Sequence, residues 1–171
     1  IFESGATSYV SASYDPNTAG KCVIVCTDDS NSQYGTAIVG TVSGTSISFG
    51  TAVVYNSAIT NHNSIAFDPN TAGKFVVAYR DYGNSHYNTV NVGTVSGTAI
   101  SFSGESVVNT GNTQYNSISF DPNTSGKFVV AYRDLGNSNY GNAIVCQLEV
   151  ITTSLTSTNF VGITAEAITS G

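Results

Sequence analysis

Apolar residues along the chain fall in short runs closed by clusters of Gly, Pro, Asn, Asp and Ser. None of these runs repeats at the 3.6-residue period of an amphipathic helix. Residues 74–80 (KFVVAYR) and 127–133 (the same seven letters) are near-continuous apolar runs, which predict central strands buried on both faces. Around the first of them the punctuation is regular. Residues 63–67 alternate polar and apolar, and Asp68-Pro69-Asn70-Thr71-Ala72-Gly73 follows as a turn in which Pro fixes φ and Gly supplies a permissive backbone. Gly83-Asn84-Ser85 makes the next turn, residues 86–95 a third strand, Ser96-Gly97-Thr98 a tight connection, and residues 99–102 a fourth strand with a bulge expected at Gly104. The pattern predicts an all-β protein built from four-stranded antiparallel meanders, the form of a propeller blade.

The meander is repeated. Asp15-Pro16-Asn17-Thr18 recurs at Asp68 and again at Asp121, each time after 53 residues and without a gap. Residues 67–87 and 120–140 agree at 18 of 21 positions, and residues 14–34 agree with 67–87 at 12 of 21. Residues 37–49 match 90–102 at 10 of 13. A period of this length and fidelity means one supersecondary unit used three times. The chain divides into an entry segment (1–13), repeat 1 (14–66), repeat 2 (67–119), a truncated repeat 3 (120–149) and a divergent strand or linker (150–171). In this register Ile1-Phe2 aligns with Val54-Tyr55 and Val107-Val108, so the chain is expected to open on the last strand of a preceding unit.

Composition narrows the function classes. Only 9% of residues are charged, while Ser, Thr and Asn supply 61 of the 171 positions, so neutral polar groups take the place of charges on the surface. Five basic residues against eleven acidic give a net charge of −6. Nucleic acid is a poor partner for such a chain, because phosphate contacts need clustered Lys and Arg. No apolar run approaches the roughly 20 residues of a membrane-spanning helix.

The three cysteines do not form a cofactor site. Cys22 and Cys26 lie on one strand face roughly 13 Å apart at strand rise, too far for a mutual disulfide, and they occupy the positions where repeat 2 has Phe75 and Tyr79. They read as small buried hydrophobes, with a bridge to Cys146 as the alternative. No metal-ligand spacing, nucleophile elbow or phosphate loop is present, so no catalytic residue, metal or cofactor is expected and the chain reads as a non-enzyme. Asp15, Asp68 and Asp121, with Asp28, Asp81 and Asp134, recur in every unit and read as turn devices. Two neighbouring turns offer candidate glycan contacts: Tyr82, Asn84 and Tyr87 in repeat 2, and Asn137 and Tyr140 in repeat 3. Their rings can stack on a sugar and their amides can bond its hydroxyls.

The wording of the units (DPNTAGK, VVAYRD, GNSNYG and GTVSGTSISF) resembles that of tandem-repeat surface and structural proteins of marine phages and aquatic bacteria. The resemblance covers about 150 residues. It implies an extracellular or virion-surface setting, in a fibre, appendage or adhesin, and no reaction. Repeat 1 departs from it at Cys22, Cys26 and Thr27. Three blades are too few to close a propeller, and an open array leaves β-edges that pair with other chains. The expected partner is therefore the chain itself, joined head-to-tail by strand donation, with Ile1 and Phe2 at one end and Phe160 and Val161 at the other as assembly residues. Surface glycans are the alternative partner.

Overall fold

The computed structural model describes residues 1–148 and the backbone of a final strand at residues 163–166; the expected assembly residues Phe160 and Val161 lie outside the described residues. The described residues contain strands and turns and no helix. In chain order the strands are β1 (Thr7–Tyr14), β2 (Lys21–Asp28), β3 (Tyr34–Ser43), β4 (Ser46–Phe49), β5 (Val53–Phe67), β6 (Lys74–Asp81), β7 (Tyr87–Ser96), β8 (Ala99–Asn109), β9 (Thr113–Phe120), β10 (Lys127–Asp134), β11 (Tyr140–Leu148) and β12 (Ile163–Glu166). Every pairing is antiparallel. One sheet runs β1-β2-β3-β5-β6-β7-β8, with β4 also paired to β3, and a second runs β12-β11-β10-β9.

β5 is longer than its sequence pattern implied. The alternation was visible only over residues 63–67, yet the strand starts at Val53. No Gly or Pro interrupts that stretch, so nothing stops the extended backbone. Its first part pairs with β3 (Val53 opposite Ala37) and its second with β6 (Phe67 opposite Phe75). The bulge expected near Gly104 is present: the β7–β8 register shifts between Asn91 and Gly93, and Gly104 has φ +117°.

The repeated aspartates build the turns on either side of β2, β6 and β10, while the β3–β4 and β7–β8 hairpins turn on Gly44 and Gly97 at positive φ. Asp15, Asp68 and Asp121 each accept, through Oδ1, the backbone N–H two residues on, at 2.9 Å in all three cases. Asp81 and Asp134 do the same for Gly83 and Gly136, and Asp28 for Ser30. The turns between β2 and β3, β6 and β7, and β10 and β11 each place two successive non-glycine residues at positive φ: Ser32 and Gln33, Ser85 and His86, Ser138 and Asn139.

The core forms two clusters that meet at β6. In one, Val23, Val25, Ala37 and Val39 pack with Phe67, Phe75, Val77 and Tyr79. In the other, Val76, Ala78, Val90 and Val92, one residue out of phase, pack with Phe120, Phe128, Val130 and Tyr132. β6 is thus buried on both faces from Phe75 to Asp81, as its sequence predicts. β10 is not, although residues 127–133 have the same sequence. Phe128, Val130 and Tyr132 are buried, while Val129 is exposed and Ala131 and Arg133 half-buried, because no further strand layer covers that face among the described residues. Ile1 and Phe2 lie in no strand; Ile1 is exposed, and the Phe2 ring packs edge-on against Phe49 at 6.3 Å. Tyr55, 53 residues on, makes the equivalent contact with Phe102 of the next unit.

Candidate functional site

The two groups of glycan candidates lie on separate hairpins. Tyr82, Asn84 and Tyr87 are half-buried in the β6–β7 turn, where the Tyr87 N–H donates to the Asn84 carbonyl at 3.0 Å. Asn137 and Tyr140 are exposed in the β10–β11 turn, closed by the same bond at 2.9 Å. No hydrogen bond or ring contact among the described residues joins the two groups. Tyr82 is already engaged. Its hydroxyl accepts from Asn61 Nδ2 and from Arg80, both at 3.1 Å, its ring lies 4.6 Å from the Arg80 guanidinium carbon, and His86 meets it edge-on at 4.3 Å. Arg80 is buried, and its Nε finds no partner. The first unit carries Thr27 at this position, bonded to the Thr60 carbonyl and to Asn63 Nδ2.

Beside this cluster the structure assembles a feature absent from the sequence reading. The first strand of each unit carries one bulge at the same place: register shifts fall between Ser8 and Ser11, between Asn61 and Ser64, and opposite the step from Ala131 to Arg133. Each bulge holds a ring-bearing residue in the left-handed region: Tyr9 at φ +48°, His62 at +56° and Tyr115 at +56°. Bulky residues rarely adopt this conformation, which costs of order 1–3 kcal/mol. The three rings form a ladder, with centroids 4.9 Å apart from Tyr9 to His62 and 4.9 Å from His62 to Tyr115. The middle ring is half-buried, while Tyr9 is 43% and Tyr115 64% exposed. The 53-residue spacing of positions 9, 62 and 115 was legible, but His at the middle rung hid the pattern behind a change of residue type.

The electrostatics follow burial. His62 is held below the ordinary histidine range by burial and by the nearby Arg80 charge. Burial pushes the Tyr55 and Tyr79 phenols well up, and lifts the Cys26 and Cys146 thiols to about 11. All three cysteines are free and buried, so the small-hydrophobe reading holds and the Cys146 bridge does not form. Asp121 is lowered by the Asn123 amide and the Thr124 hydroxyl. No three His, Cys, Asp or Glu side chains gather as a metal site among the described residues, and no helix there is long and apolar enough to cross a membrane.

The surface of the last unit is open. A depression of about 290 Å³ is lined by Ser119, Phe120, Asp121, Lys127, Phe128, Val129 and Val145. The chain matches no protein-family model and no curated protein.

Proposed function

We propose that this chain is a non-enzymatic structural protein made of three tandem four-stranded, propeller-blade-like units. It serves as a subunit of an extracellular or virion appendage that grows head-to-tail. The strand pairing supports the unit: β1-β2-β3 closed by β4 and the start of β5, then the rest of β5 with β6-β7-β8, then β9-β10-β11-β12. The observation that carries the reading is the shared core. Neighbouring units bury the facing sides of their central strands against each other, through equivalent residues at both contacts. Stacking is therefore the means by which such units are stabilised, as in other repeat arrays. Negative-stain microscopy of the purified chain is expected to show filaments or rings, and isolated particles of single-chain size at all concentrations would end the proposal.

A second reading, a glycan-binding adhesin, rests on the exposure of Asn137 and Tyr140 at one hairpin tip. A glycan array reports on it directly, and binding abolished by Tyr140→Ala would favour it.

A further inference from the structure

We infer that the open face of the third unit is a docking site for the Tyr14-bearing outer side of the first unit of a second copy of this chain. The inference rests on the self-assembly reading above and names the surfaces that carry it. Its basis is continuity with a contact the molecule already makes twice.

At the first internal contact, Val23, Val25 and Val39 meet Phe67, Phe75 and Val77; at the second, their counterparts 53 residues on, Val76, Ala78 and Val92, meet Phe120, Phe128 and Val130. The next members of the first series are Val129, Ala131 and Val145. They form an apolar face with Val129 38% exposed, beside the depression that Val129 and Val145 help to line. The member of the second series that precedes Phe67 is Tyr14, which is 60% exposed on the outer face of the first unit. A phenol suits this depression better than a phenyl ring, because Asp121 and Lys127 line it beside the apolar groups.

Two further features are unpaired at the same ends. The ring ladder stops at Tyr9 on one side and Tyr115 on the other, each with an exposed flank. A second copy's Tyr9 against Tyr115 continues it at the same step, which gives the left-handed strain at each rung a purpose: projecting a ring toward the next unit. The turns continue it too. Asn17 Nδ2 donates across the first contact to the Asp68 carbonyl at 3.3 Å, and Asn70 Nδ2 across the second to the Pro122 carbonyl at 3.4 Å. The next amide in this series, Asn123, is exposed. On the first unit's outer side Tyr14 stands for Phe67, and Cys22 and Cys26 stand for Phe75 and Tyr79; both cysteines are already buried, so Tyr14 is the exposed member of this series. The joint between copies therefore contains less aromatic surface than the joints within the chain and is the weaker, reversible one.

Such a contact joins two different patches, so each copy has one of each. Sedimentation velocity across a concentration series tests it with the whole chain, Tyr14→Asp, Val129→Asp, and an equimolar mixture of the two variants. The unaltered chain is expected to form an open-ended series of species. Each variant alone should associate roughly 100-fold more weakly, since a carboxylate is buried in the apolar joint. The mixture, in which each variant keeps one intact face, should form dimers and nothing larger. Both positions are exposed, and circular dichroism checks that the fold is kept; Tyr14→Ser and Val129→Ser replace any variant that misfolds. If the chain associates but both variants associate equally well, these faces are not the joint, although self-assembly stands. If the mixture stays monomeric while the unaltered chain associates, the pairing of unlike faces is wrong. If the unaltered chain is monomeric throughout, both readings fall.

Discussion

His62 is the rung of the ring ladder that carries an imidazole, a group whose ordinary value is about 6.5. It faces Tyr9 and Tyr115 through its ring contacts and Arg80 through charge, and burial together with that guanidinium favours the neutral imidazole. A folded-state value below the unfolded one means that the stability it represents is present above about pH 6.5 and is lost as pH falls through the folded value. The chain is therefore expected to lose thermal stability as pH falls below about 6.5. His62→Tyr places at position 62 the residue that the other two rungs carry at the same backbone conformation. It should fold, keep the ladder and show a smaller fall in Tm over that pH range. An equal fall in both proteins would mean that His62 does not feel its neighbours.

At the scale of the element, β6 and β10 separate what sequence specifies from what neighbours impose. Their eight residues are identical, yet one strand is buried on both faces and the other on one. The apolar run was read correctly as a strand. Burial on both faces was expected for both runs and holds only for β6, because burial belongs to the layer opposite. The antiparallel strands, the Asp-anchored turns and the Gly104 bulge were legible, since each is a local preference of named residues. The bulges beneath the ladder were not, since no glycine marks them and their positive φ is held by pairing on either side. Glycines in the third strand of a unit show the same dependence. A Cβ at Gly93 would lie 2.1 Å from Phe75 Cζ, inside a fully buried ring, whereas one at Gly141 meets nothing within 4 Å. Gly93→Ala is expected to destabilise by about 1–3 kcal/mol through overpacking, and Gly141→Ala to change stability by less than about 0.5 kcal/mol. Urea denaturation of the two variants measures both, and equal effects would show that the Phe75 ring has room to move aside.

For the whole molecule, the decisive fact is that β6 belongs to both core clusters through alternate residues. Val77 points into the cluster shared with β2 and β3, and Val76 into the one shared with β10 and β11. Neither neighbouring group of strands can lose β6 and keep its core, so the described part of the chain should unfold as one cooperative unit rather than repeat by repeat. Val77 is fully buried, and a carboxylate there has no partner. Val77→Asp thus costs several kcal/mol, comparable with the roughly 5–15 kcal/mol that holds a domain together. The predicted outcome is loss of strand signal from the whole chain, not from a third of it. Residues 67–119 expressed alone should likewise remain unfolded, having both faces of β6 exposed. Circular dichroism and tyrosine fluorescence, followed together through urea, should coincide in a single transition for the unaltered chain. Two resolved transitions, or a Val77→Asp protein that retains most of its strand content, would show that the units fold independently and that the shared strand couples them less than its burial implies.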